Sequence, residues 1–115
     1  MEVTTHTMQL KDVHYQEIVR GTKRYEARLY DEKRRSLNLL DVIEFSNTDT
    51  DDKVRATITE LSHFATFRDG LSAKDFVFVV PGANTMDEAV NIYKKIYGNK
   101  EEINGVIFIK LQLIK

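Results

Sequence analysis

Along the chain, apolar and polar positions switch period several times, and each switch marks an element. Met8 and Leu10 close a short first strand. Asp12 then offers a side-chain cap to a helix whose Tyr15, Ile18 and Val19 share one apolar face. Gly21 ends that helix as a left-handed residue. From Arg24 to Leu29 the period becomes two, which predicts a half-buried strand. Tyr25, Ala27 and Leu29 are assigned to the core, so Arg24, Glu26 and Arg28 share the opposite face. A third strand is predicted over Val42–Asn47, and an Asn/Asp/Thr loop follows it to Lys53. Residues 54–61 alternate again, which puts Val54, Ala56, Ile58 and, if the alternation runs to its end, Glu60 on one side and Arg55, Thr57, Thr59 and Leu61 on the other. This strand is long enough to bulge or bend.

Residues 67–80 are ambiguous, because Phe76 to Val80 is a continuous β-prone run that fits either a buried strand or a short buried helix. Thr85 with Glu88 three residues later makes a capping box, opening a helix through Ala89, Ile92, Tyr93 and Ile96 that stops at Gly98. Residues 106–114 form a closing apolar strand after Asn104 and Gly105. Several short strands with two helices between them imply an α+β domain whose sheet is strongly curved or closed, since so few residues must cover its apolar face.

The 115 residues suit one domain, with 42% hydrophobic and 30% charged positions, a globular balance. No repeat or linker divides them. Absence of cysteine removes disulfides, thiolate zinc sites and cysteine nucleophiles. No apolar run has signal-peptide character or approaches the ~20 residues of a membrane span, so the expectation is a soluble cytoplasmic protein without a membrane partner. Net charge is −1 and the pI is near 6.3, so a globally basic surface is excluded. Distribution restores the option: Arg20, Lys23, Arg24, Arg28, Lys33, Arg34 and Arg35 crowd one segment, while Asp49, Asp51 and Asp52 sit in a later loop.

Gly21-Thr22-Lys23-Arg24-Tyr25-Glu26-Ala27-Arg28 resembles the G-x-K-x-x-E-x-R signature of ASCH domains. Asp31 to Arg35 resembles the charged turn that follows it, Asp41 to Phe45 the G-D-x-I-x-F strand, and Gly105 to Ile109 the closing G-V-x-x-I strand. Val80-Pro81-Gly82 and the helix around Ile92 and Tyr93 are similar to small bacterial and archaeal members, so the resemblance spans nearly the whole chain. One departure stands out. Leu40 occupies the position of the glycine before the aspartate, where glycine tolerates positive φ and leucine resists it. The resemblance implies a single ASCH domain over residues 1–115, a PUA-like curved or closed mixed β-barrel with flanking helices. It also favours a short helix over residues 73–79.

Lys23, Glu26 and Arg28 form the sharpest candidate cluster. Arg28 offers a planar fork for a phosphate or base edge, Lys23 a mobile point charge, and Glu26 an acceptor for a ring N–H or exocyclic amine. The same spacing also fits an ordinary charged strand surface. In the family, these positions line a cleft. Arg34 and Arg35 could touch phosphates at its rim, and Tyr30 could stack on an unpaired base. Ser46 and Asn47 lie at a strand end, where Asn47 reads as a turn former. His6, His14 and His63 show no metal spacing, and no glycine-rich phosphate loop follows any strand, so no metal and no cofactor are expected. His63 could reach the cleft as an acid or base, or sit satisfied at the surface.

RNA or a nucleotide is the expected partner. The second reading is a hydrolase acting on RNA or an acylated nucleoside, with Lys23 and Glu26 as the catalytic candidates. ASCH amidohydrolases use the signature lysine, a threonine where Glu26 stands and a glutamate before the late helix, near Asn84 here, so only Lys23 carries over. A base role for Glu26 requires burial to raise its pKa. A third reading is a protein-interaction surface of Tyr93, Ile96 and Tyr97. No feature of the sequence fixes an oligomeric state.

Overall fold

The structure is a computed structural model, and residues 2–115 are described. Among them five strands run β1 (Thr5–Leu10), β2 (Tyr25–Leu29), β3 (Val42–Asn47), β4 (Lys53–Phe64) and β5 (Val106–Leu113). Four α-helices intervene: α1 (Asp12–Arg20), α2 (Phe67–Lys74), α3 (Met86–Tyr97) and the short α4 (Glu101–Asn104). The strands form one mixed sheet in the order β1-β3-β4-β5-β2, with β1 parallel to β3 and the other neighbours antiparallel. The domain is α+β, and its sheet curves into a half-barrel with helices on its flanks, the predicted class.

The most apolar strand explains the layering. In β5, Ile107 and Ile109 join a core of Met8, Leu10, Tyr15, Ile18, Ile43, Phe45 and Ile58, while Val106 and Phe108 join a second core with Phe67, Leu71, Val79, Ala89 and Tyr93. The first half of β5, Val106 to Ile109, is buried on both faces and needs side chains that tolerate burial everywhere, hence its unbroken apolar run; Lys110 and Gln112 follow where the strand becomes partly exposed. The first core packs α1 against the sheet and the second packs α2 and α3. Gly70 of α2 lies so close to the sheet that a Cβ there would run into the Phe108 ring.

Local rules hold where local atoms satisfy them. Gly21 closes α1 with φ of 82°, and the Thr85 side chain caps α3 by accepting from the Glu88 N–H. Glu88 in turn accepts from the Asn84 N–H at 2.6 Å, one residue earlier than a standard capping box. Elsewhere the chain departs from the pattern. Asp12 is not the cap of α1: Lys11 stands there without a side-chain bond, the Asp12 N–H goes to Asp49, and the Asp12 carboxylate accepts from Asn47 and Gln16. Val19 is exposed and Glu17 is buried in its stead, at 6% exposure. Residues 67–80 are helical in two pieces, α2 and then a single 3-10 turn at Phe76–Phe78, separated by Asp75 at φ 63°.

β4 contains a bulge between Ile58 and Glu60 that leaves Thr59 outside the ladder to β5. Because side chains alternate, one extra residue exchanges the faces beyond it. Leu61 therefore packs on the first core with Ala56 and Ile58, and Glu60 turns to Lys74 at 3.1 Å, the reverse of the predicted faces. Leu40 adopts φ of 72°, the left-handed conformation that a glycine there would adopt freely, with its side chain exposed.

Two stability changes follow. Gly70→Ala gains helix propensity but drives a methyl into Phe108, so chemical denaturation is expected to show a net loss of roughly 1–3 kcal/mol; an unchanged midpoint would contradict that packing. Leu40→Gly relieves left-handed strain without emptying any core, and a gain of about 0.5–1 kcal/mol is expected in the same assay.

Candidate functional site

Strands β1 and β2 are the two edges of the sheet, and among the described residues no backbone ladder joins them. Instead a side chain crosses the seam: Arg28 Nη2 on β2 donates to the Gln9 carbonyl on β1 at 3.2 Å. The same nitrogen donates to Glu26 Oε2 at 3.2 Å. Glu26 Oε1 accepts from the Ala27 N–H at 3.0 Å and lies 3.5 Å from Lys23 Nζ. Lys23, delivered by the turn after Gly21, also donates to the Val79 carbonyl.

Strand alternation divided β2 as predicted, yet the face of Glu26 is not an open surface. Glu26 pairs in register with Ile109 and Arg28 with Ile107, so both stand beside the first core. Lys23 and Glu26 are each only 4% exposed. Arg24 leaves the group and lays its guanidinium over the Phe78 ring at 4.5 Å.

Burial by itself pushes the Glu26 carboxyl up. Lys23, Arg28 and the Ala27 N–H outweigh that, and the net result is a pKa below the usual 4.5. Burial likewise weakens the hold of Arg28 on its proton, but the Glu26 carboxylate more than compensates and the pKa rises. Nearby, burial raises the Tyr93 phenol well above its ordinary range, and Glu26 adds to the effect.

A cavity of about 590 Å³ opens against this network, between β2, the start of α1 and α3. Lys23, Glu26, Arg28 and Gln9 form its polar side, Leu10, Ile92, Tyr93 and Tyr97 its apolar side, and His14 and Lys95 stand at its edge. Much of the bonding capacity is uncommitted. Arg28 has bonds only from Nη2, and its Nε and Nη1 have no hydrogen-bond partner among the described residues. Among the described residues Glu26 is the one carboxylate in the lining.

Across the Arg28 clasp lies a second cavity of about 550 Å³, lined by Thr7, Met8, Gln9, Arg28, Lys33, Arg34 and Ser46. Of the sequence-predicted residues, the structure thus brings together Lys23, Glu26, Arg28 and Arg34. It separates Tyr30, which packs on His63 at 4.3 Å between centroids, and Arg35, which lies 5.5 Å from the Tyr30 ring. Neither lines the two cavities. His63 instead meets the Asn104 carbonyl at 3.0 Å. Asn47 is a turn residue, accepting from the Asp49 N–H at 2.9 Å.

Gln9 and Lys95 were not singled out by the sequence pattern, and His14 was weighed only for metal spacing. The third reading put Tyr93 and Tyr97 with Ile96 on an outward patch, although helical spacing favours core for them; Tyr93 is buried and both tyrosines line the cavity, which leaves Ile96 as the exposed member at 62%. Only α3's docking against the β2 edge decides that, and no local signal encodes it. Among the described residues no group of three or more His, Asp or Glu side chains could hold a metal ion, and no helix is long and apolar enough to cross a membrane.

Comparison with solved structures gives the fold a context. The crystal structure of hypothetical protein PH0355 superposes with a TM-score of 0.88 at 28% identity, covering 96% of this chain and 100% of that one. The solution structure of protein PF0455 from Pyrococcus furiosus gives 0.80 at 27%, with 97% and 99% covered. The crystal structure of ASCH from Zymomonas mobilis gives 0.67 at 13%, covering 95% of this chain and 67% of that chain. The fold is ASCH-like. No family model and no curated protein matches the sequence.

Within this ASCH-like domain, the lowered pKa of Glu26 sets a sign. A carboxylate held ionised in the folded state stabilises it fully above the ordinary value of 4.5, and the contribution is lost as pH falls through the lowered folded value. Glu26→Gln is expected to cost roughly 3 kcal/mol at neutral pH, by leaving two cations without their buried partner, and to flatten the acid limb of stability. Urea denaturation across a pH series measures both, and an unaltered acid limb would show that Glu26 is not the paired ion.

Proposed function

We propose that this chain is an ASCH-family domain that binds RNA or a nucleotide, taking an unpaired base into the cavity between β2 and α3. The observation that carries this reading is the ionised Glu26, buried between Lys23 and Arg28 in the wall of a cavity whose other side is aromatic and aliphatic. A base has an apolar face and a polar edge, and the cavity offers both kinds of wall. Tyr93, Tyr97 and Ile92 suit the ring face, while Arg28 Nε and Nη1 suit base-edge acceptors. Glu26 accepts three bonds or close contacts and retains acceptor capacity toward a ring N–H.

The same geometry favours binding over hydrolysis. A general base works best with a pKa near the working pH, and Glu26 is shifted the other way. Asn84, near the position of the amidohydrolase glutamate, does not line the cavity. Lys23 spends donors on Val79 and Glu26 and so serves as structural support for the anionic centre.

Arg28→Gln is expected to weaken retention of a mixed-sequence single-stranded oligoribonucleotide by about tenfold, the scale of a lost bond to a charged group. It is also expected to flatten the dependence on salt. Arg68→Ala, which removes an exposed cation paired with Asp87 far from the cavity, serves as the charge-matched control. Fluorescence anisotropy measures both, with thermal melts to verify folding. Equal loss in the two variants would remove the cavity as the cause.

A further inference from the structure

We propose that the cavity across the Arg28 clasp is a phosphate-binding subsite, holding the phosphate of a nucleotide whose base occupies the first cavity. The proposal rests on the base-pocket reading for the identity of the ligand, but the side chains that point to an anion there are a separate set. Every charged side chain lining this cavity is a cation: Arg28, Lys33 and Arg34, joined by Thr7, Gln9 and Ser46 as neutral hydrogen-bonding groups. That is a concentrated positive site in a chain of net charge −1.

These cations are not spent within the protein. Arg28 has its one carboxylate partner, Glu26, which lines only the first cavity. Among the described residues neither Lys33 nor Arg34 has an acidic side chain within ion-pair distance. Arg34 is half-buried, and its Nε is buried without a hydrogen-bond partner, so one donor of the guanidinium is withdrawn from water and unsatisfied. Burial and the charge of Arg28 both weaken the hold of Arg34 on its proton, the signature of like charges brought together.

A phosphate resolves each of these tensions. It supplies negative charge between Arg28 and Arg34, and its oxygens match the bidentate fork that Arg34 presents once its Nε turns toward the cavity. Hydroxyls of Thr7 and Ser46 donate to the remaining phosphate oxygens, in the manner of ordinary side-chain contacts to a nucleic-acid backbone. Arg28 lines both cavities, so it sits where the sugar joins base to phosphate. A strand of RNA bound this way crosses the open seam between β1 and β2.

The test is a titration followed by ¹H–¹⁵N correlation spectra that include the arginine Nε–H signals. Inorganic phosphate is the first probe, since it needs no base pocket. Saturable shifts are expected at the Arg34 Nε–H and at the Thr7, Gln9 and Ser46 amides, and the affinity read from the three amides is expected to weaken by about tenfold in Lys33→Gln/Arg34→Gln. A hexaribonucleotide lacking terminal phosphates is the second probe, compared with its 5′-phosphorylated form. The same shifts with the unphosphorylated hexamer assign the site to backbone diesters, and shifts only with the phosphorylated form assign it to a terminal phosphate. Shifts that are linear and dispersed, or saturable but untouched by the double substitution, would overturn the subsite. Loss of the phosphate response while hexamer binding still depends on Arg28 sinks this inference alone. A phosphate response with hexamer binding indifferent to Arg28 sinks the base pocket.

Discussion

An incompletely closed barrel must do something with its two free strand edges, and in this protein the solution is an ion network. Arg28 reaches from β2 to the Gln9 carbonyl of β1 and is held in that pose by Glu26, itself flanked by Lys23. Three charged groups largely withdrawn from water stabilise only as a set, because removal of one strands the others. The seam is thus both the weakest part of the sheet and the place where polar groups concentrate. A backbone ladder there would have spent the strand-edge donors and acceptors on each other and left no cleft.

The rest of the architecture serves this arrangement. β5, whose first half is buried on both faces, fixes the position of β2 through their register, and Gly70 lets α2 approach β5 closely. Asp41 organises the opposite end of the sheet, accepting from His6 and from the Thr4 and Asn38 N–H groups; these bonds, chiefly that from His6, hold its carboxyl below the usual range despite burial. The left-handed Leu40 immediately before it shows that the turn geometry is imposed by the sheet, through the bond from its N–H to the Ile58 carbonyl. Leucine pays there in backbone strain for a conformation that glycine adopts freely.

Much of this was legible in the chain, and the failures share one cause. The period of two in β2 separated Tyr25 and Ala27 from Glu26 and Arg28, and the pattern Thr85/Glu88 marked the start of α3. Period gives faces, however, and says nothing about what covers them. That Glu26 is buried, that Tyr93 lines a cavity and that Arg34 lies beside Arg28 all depend on packing between elements distant in sequence. The start of α2 did carry a local signal, the Thr66 side chain accepting from the Asp69 N–H, which the continuous apolar run after it obscured; the Phe67 N–H goes to Glu101, 34 residues away. In β4 the bulge at Thr59 left no compositional mark, so the faces of Glu60 and Leu61 were exchanged.

The central claim is that Glu26 is a buried anion held by Lys23 and Arg28. A carboxyl-carbon NMR titration of the intact protein follows that group directly. The account predicts a Glu26 midpoint below the ordinary 4.5, with the Arg28 Nε–H signal shifting in the same transition. A midpoint above 4.5 would mean that burial outweighs the two cations, and the network described here would not exist in that form.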